Sequence, residues 1–368
     1  MTKGPQDARV RRIFSNLDED VDAIYIRNST EPIVDATFFY VTGIRSGLFE
    51  SSTAILYPDR PMEVTVPPLE LTSAQGYGLR LTVVERRADI TEHLRRLMRG
   101  VRRVGVNAPE VSYLAIMELE KAMPKVKLVD VSKAIQRARL VKDEVELKCI
   151  KKACAVASRV AKEIPDFLAE GVSESEMAAE INLRMQRYGA AGPSFQTISS
   201  FGPNTAEPHY TVGKRKLRRG QFALFDYGAR VERYVSDITR TYACGQPTKE
   251  MRRMYEVVLE AQRIGMDMAV AGGNGRELHK SVDDYINSTP YKGKFIHSTG
   301  HSIGLSVHDG SVLHTIVDQP LEDGMVFTIE PGVYVPGYGG VRIEDNVVVR
   351  KGRCEVLTKA PRDELIHV

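Results

Sequence analysis

Two apolar runs in this sequence carry a carboxylate where a strand has to bury it, and this restricts the chain more than any other feature. Asp226 sits in Phe222-Ala-Leu-Phe-Asp-Tyr227, and Glu330 interrupts Met325-Val-Phe-Thr-Ile-Glu-Pro-Gly332. A carboxylate in such surroundings must be paired, protonated or bound to a cation. A second acid follows each: Asp237 eleven residues after Asp226, and Glu344 fourteen after Glu330. That spacing fits two adjacent strands joined by a turn, so each hairpin sets two carboxylates side by side. Two such hairpins brought together repel strongly unless divalent cations lie between them.

The remaining ligand candidate lies in Ser-Thr-Gly-His-Ser-Ile-Gly-Leu-Ser-Val-His-Asp, where His301 and His308 are seven residues apart. Glycines 300, 304 and 310 in this segment allow close backbone approach, as at a site wall. Four carboxylates and one imidazole form an oxygen-rich set, which suits two ions such as Mn²⁺ or Co²⁺ better than a lone structural zinc. It also matches two-metal hydrolysis, in which bridging ligands hold the ions about 3.5–4 Å apart and activate a shared water. Taken singly, an acid at a strand end is often only a turn or salt-bridge residue. Five candidates in ordered pairs leave that reading little room. His93, His279, His314 and His367 have no supporting context and are assigned nothing.

The first ~135 residues alternate short apolar runs with charged helical stretches, an α/β pattern. Strands are expected at Ala23–Ile26, Ala54–Tyr57, Leu81–Val84 and Val104–Val106, and a basic helix at Thr91–Arg99. After about 135 the pattern changes. A long helix is expected over Lys142–Glu163. A second opens with the capping box of Ser173 and Glu176 and stops near Gly189. Strands follow at Phe222–Tyr227 and Tyr234–Tyr242, then helices over Thr248–Val270 and Arg276–Ile286. The tail reads as strands Met325–Val335 and Val341–Val349 around a glycine-rich turn at 336–340.

A net charge of +3 in 368 residues gives no reason to expect nucleic acid or an anionic membrane as partner. With so small a net charge the arginines of Arg95–Arg103 read as a solvated helix face, and Lys214–Arg219 reads as a solvated turn, because it sits between strands and lacks interleaved aromatics. The longest uncharged run, Tyr188–Ala206, is rich in Gly, Pro, Ser and Thr, so it is a loop and not a bilayer span. No secretory signal is read, and Cys149, Cys154, Cys244 and Cys354 contain no CxxC pair. These features point to a cytoplasmic protein with free thiols.

Together these residues resemble the metallopeptidase family of pita-bread fold, which includes methionine aminopeptidase, aminopeptidase P and Xaa-Pro dipeptidase (prolidase). The resemblance covers roughly 135–368. It implies an α/β (α+β) protein in which a smaller creatinase-type N-terminal α/β domain, 1–134, precedes a pita-bread catalytic domain, 135–368. Ser236-Asp-Ile-Thr-Arg-Thr241 and Glu330-Pro-Gly-Val-Tyr334 look like the proline-specific branch. Phe39-Tyr-Val-Thr-Gly43 and Ala54–Tyr57 resemble its N-terminal domain. The resemblance implies two divalent ions per chain, Mn²⁺ or Co²⁺, with Zn²⁺ as a further fit. Asp226 would be terminal on one metal, Asp237 and Glu344 would bridge, and His301 and Glu330 would bind the second. His209, in Glu-Pro-His-Tyr, and His308 match the family's substrate histidines. His297 and Arg342 match two further groups of the proline-specific branch. Glu330 would also shuttle a proton to the leaving nitrogen. The implied reaction is hydrolysis of an Xaa-Pro bond at a free N-terminus, by a homodimer, on a dipeptide or a longer peptide. A metal-free creatinase-like hydrolase and a non-catalytic interaction module are the rivals, and the filled ligand positions count against both. Two departures from the pattern are Ser302, a position often Gly or aromatic, and Glu232-Arg-Tyr where Asp-Gly-Tyr is usual.

Overall fold

A computed structural model describes residues 5–368. The chain divides into two compact units, one ending at Arg139 and the other beginning at Leu140. The boundary expected from the pattern shift lay at 134/135.

The N-terminal unit is built on a six-stranded mixed sheet, ordered Arg80–Val83, Glu63–Val66, Thr53–Leu56, Ala23–Arg27, Arg103–Val106 and Lys127–Asp130. The central Ala23–Arg27 strand is buried throughout and runs parallel to Arg103–Val106 and antiparallel to Thr53–Leu56. Helices Ile90–Leu97 and Tyr113–Ala122 bury Leu94 and Leu119 against Tyr25 and Val104. Phe39–Gly43 is the end of helix Ala36–Thr42, closed by Gly43 in the left-handed region at φ 71°.

The second unit carries four main helices where the apolar periodicity puts them. Helix Glu144–Phe167 opens with a capping box on Asp143, and Glu174–Arg187 with one on Ser173. Thr248 caps Lys249–Met268, and Asn274 caps Gly275–Asn287. Strand Phe222–Tyr227 pairs on one side with Ile238–Ala243 and on the other with Ile198–Phe201. Val326–Ile329 pairs with Asp345–Val348, and Gly332–Val335 with Gly339–Arg342. These last two ladders share one register, interrupted between them at Glu330-Pro331 and Ile343-Glu344. The Glu232-Arg233 turn joins Ala229–Val231 to Tyr234–Val235 with φ of 48° and 72°. Both residues therefore take the left-handed geometry of a type I′ turn without a glycine. No disulfide is formed, and no described helix is long and apolar enough to cross a membrane.

A candidate metal centre between two hairpins

Asp226 lies inside its strand, directly opposite Thr239, which sets Asp237 on the neighbouring diagonal position. Glu330 and Glu344 fall at the break between the two tail ladders, and their shared register carries one opposite the other. His301 ends the short strand Gly300–His301, which runs beside Val326–Ile329. His301 N–H donates to Thr328 Oγ1 at 3.0 Å, and Glu330 N–H donates to Thr299 O at 2.8 Å. This approach needs Gly300: an added Cβ would lie 1.9 Å from Thr328 O. Gly300→Ala is therefore expected to cost about 1–3 kcal/mol of stability and to weaken metal binding. Thermal melting and a Mn²⁺ titration read both effects; an unchanged melt would show that the strand has room to move.

The residues converge. One ligand atom each from Asp237, His301 and Glu344 lies within 4.8 Å of the others, and all three residues are buried. His301 Nε2 is 3.5 Å from Asp237 Oδ2 and 3.4 Å from Glu330 Oε1. One oxygen on each of three carboxylates is tied down: Thr239 Oγ1 donates to Glu344 Oε2 at 2.6 Å, Thr328 Oγ1 to Glu330 Oε1 at 3.0 Å, and Arg342 Nη2 to Asp226 Oδ2 at 2.6 Å. Asp226 Oδ1, Asp237 Oδ1 and Glu344 Oε1 are buried and have no hydrogen-bond partner. Buried anionic oxygens without donors are what a cation site requires, so the residues present fit a divalent metal.

The electrostatics agree. Burial, and then the neighbouring carboxylates, push Asp237 and Glu344 well above the usual acid range. Burial raises Glu330 to about 7 against the opposing pull of Arg342. Burial lowers His301, which leaves it neutral and able to bind metal. Glu330, raised to about 7, holds a proton below neutrality, and a cation has to displace it. At pH 6 metal binding is therefore expected to release at least one proton per chain, with affinity falling about tenfold per pH unit for each proton released. Calorimetric Mn²⁺ titrations in buffers of different ionisation enthalpy measure this. A binding heat independent of the buffer would show that the carboxylates are already ionised.

A cavity of about 360 Å³ is lined by all nine residues singled out from the sequence: His209, Asp226, Asp237, His297, His301, His308, Glu330, Arg342 and Glu344. Their surroundings differ. His209 and His308 are exposed at the cavity, and the His308 ring centroid lies 4.2 Å from that of His301. His297 instead has both nitrogens engaged: Nδ1–H donates to Ser298 O and Nε2 accepts from Tyr334 Oη, each at 2.8 Å. Tyr334 Oη accepts in turn from Arg342 Nη1 at 2.8 Å, so His297, Tyr334, Arg342 and Asp226 form one chain of hydrogen bonds. Phe195, Ile198, Val307 and Val312 add apolar walls that the motif reading does not include.

A buried, carboxylate-rich centre built on paired hairpins is thus chemically fitted to hold cations. Residues 148–351 match the family described as metallopeptidase family M24, and residues 8–141 match the creatinase/prolidase N-terminal domain. The chain is 32% identical to the Xaa-Pro dipeptidase of Pyrococcus horikoshii over 361 residues, 96% of this chain and 98% of that protein. A solved Xaa-Pro dipeptidase from Bacillus anthracis superposes with a TM-score of 0.90 at 31% identity, over 99% of this chain and 100% of that one. The X-Pro aminopeptidase of Thermotoga maritima gives 0.89 at 30% identity, over 98% and 100%. The chain belongs to metallopeptidase family M24. Membership implies divalent metal binding, and Asp237, His301 and Glu344 form a group that could hold such an ion.

Proposed function

We propose that this protein is an Xaa-Pro dipeptidase acting at a free N-terminus. The observation that carries the reading is the convergence of all nine candidate residues on one cavity. Asp226, Asp237, His301, Glu330 and Glu344 would hold two divalent ions, Mn²⁺ or Co²⁺ by the oxygen-rich donor set, with Zn²⁺ as a further fit. When bound, such ions supply Lewis acidity and a nucleophilic water at neutral pH.

The chain's own groups do the rest. His308, its proton affinity lowered by partial desolvation at the cavity wall and by His301 beside it, keeps a neutral ring whose N–H can donate to the scissile carbonyl oxygen as charge develops there. Glu330, beside the site of attack, would carry a proton to the leaving proline nitrogen. That nitrogen carries no hydrogen in the peptide and its ring fixes φ, so the cavity must recognise shape. Phe195, Ile198 and Val312 supply apolar wall, while His209 stands at the exposed side. His297 and Arg342 shape the floor through Tyr334.

The likeness to an X-Pro aminopeptidase supports a second reading, with longer Xaa-Pro peptides as substrates. Mn²⁺- and Co²⁺-loaded protein offered Xaa-Pro, Xaa-Pro-Xaa and Xaa-Ala separates the cases. Cleavage of Xaa-Pro alone fits the first reading, and cleavage of the tripeptide alone fits the second. Indifference between Xaa-Pro and Xaa-Ala would overturn both. A homodimeric, cytoplasmic enzyme completes the proposal, checked by sedimentation and cell fractionation.

A further inference from the structure

The break in the tail ladders poses a problem of backbone hydrogen bonding. Glu330 and Glu344 turn their N–H groups out of the ladder to Thr299 O and Thr239 O, and Ile343 faces Pro331, which has no N–H to give its carbonyl. A side chain from a different element supplies the missing donor and braces both strands. Gln262, fully buried in helix Lys249–Met268, points its Nε2 into the break. It donates to Ile329 O and Ile343 O at 3.2 Å each and to Asp345 Oδ2 at 3.0 Å. Two N–H bonds are thus shared among three acceptors, each adjoining a candidate ligand. Gly265, one turn along, lets the helix come close: an added Cβ would lie 2.8 Å from Ile329 Cγ2.

Asp345, also fully buried, gathers further donors behind the same point. It accepts from Arg240 Nη2 at 2.8 Å, from Thr358 Oγ1 at 2.6 Å and from Arg362. Arg240 Nη1 donates to Glu344 O at 2.6 Å. Asn346 Oδ1 accepts from Asp237 N–H at 3.0 Å, which ties the first hairpin to the second.

We infer that Gln262 is a positioning residue for the metal centre, bracing the backbone beside Glu330 and Glu344 so that both face the cation. It touches neither substrate nor metal and acts through the backbone on either side of the break. The inference rests on the metal-centre reading, so the experiment reads metal binding directly.

Gln262→Met keeps the volume and removes the donors; Gln262→Glu keeps the shape and sets acceptors against acceptors. Full-length wild-type protein and both variants are titrated with Mn²⁺, and melting is recorded on the same samples. Supporting atoms around metal ligands are typically worth 10–100-fold in affinity, and that loss is expected in each folded variant. A variant that melts earlier but binds Mn²⁺ as tightly as wild type would make Gln262 a core residue only and overturn the inference. Wild-type protein that binds no Mn²⁺ would sink the metal-centre reading and this inference with it. Should neither variant fold, the Gln262 side-chain amide is followed in ¹⁵N-glutamine-labelled wild-type protein. Its protons should exchange slowly and shift on adding Zn²⁺, and an amide that exchanges freely and ignores the metal overturns the inference as surely.

Discussion

Asp237→Asn is expected to abolish turnover, by about 10³-fold or more, while leaving the fold intact. The change preserves size, and the backbone of Asp237 remains anchored through its N–H to Asn346 Oδ1. What it removes is one negative charge from the tightest part of the site, where Asp237, His301 and Glu344 lie within 4.8 Å. Losing a ligand that the family resemblance places between two ions should empty the centre, and several kcal/mol of catalytic stabilisation go with it. Stability should move the other way. In metal-free protein Asp237 is a buried carboxylate set against Glu344, Asp226 and Glu330, and neutralising it removes that repulsion. The metal-free variant should therefore melt no earlier than metal-free wild type. Turnover, metal content and melting measured on one preparation test the whole statement. Near-normal turnover with full metal content would remove Asp237 from the ligand set.

How much of this was legible in the sequence depends on the range of the interactions. Asp226 stands out because a charge inside Phe-Ala-Leu-Phe-Asp-Tyr carries a burial cost visible without coordinates, and the strand forms over the residues expected, Phe222–Tyr227. Ser173 and Thr248 announce their helices because capping is settled within three residues. Strands Glu63–Val66 and Lys127–Asp130 are not in the motif reading: the second is a half-exposed edge of only four residues, with little apolar alternation to mark it. The tail, read as two long strands, is four short ones, because Pro331 has no N–H for the ladder and Glu330 and Glu344 give theirs to Thr299 and Thr239 instead. The supports of that break are farther out of reach. Gln262 looks like any polar residue in an amphipathic helix, and its meaning comes from acceptors 67, 81 and 83 residues away. Arg240 and Asp345 likewise sit within recognised strings, yet their pairing across 105 residues shows only in the fold. His297 and Arg342 were legible as cavity residues, but their commitment to Tyr334 and Asp226 was not.

His308→Ala should slow turnover by about 10²–10³-fold, roughly 2.7–4 kcal/mol, with both metals retained. The expectation comes from the hairpin that carries the two histidines. His301 pairs with Val312 at its base, facing Asp237 and Glu330, whereas His308 lies on the loop, exposed to the cavity beside His301. The loop itself is held independently of the His308 ring. Asp309 N–H donates to Ser302 O at 2.9 Å, Ser302 N–H to Ser311 O at 2.8 Å, and Val235 N–H to Gly304 O at 2.9 Å. Asp309 is also set 3.4 Å from the buried ammonium of Lys142. Truncating the ring should therefore leave the loop and His301 in place and delete only a donor aimed at the substrate carbonyl. If His308 instead serves packing, melting falls and the folded fraction turns over normally. If metals are lost, it belongs to the ligand set and the five-residue assignment is incomplete. Turnover cut 10²-fold or more, with metal content unchanged and melting near that of wild type, is the combination that marks His308 as a group acting on the substrate.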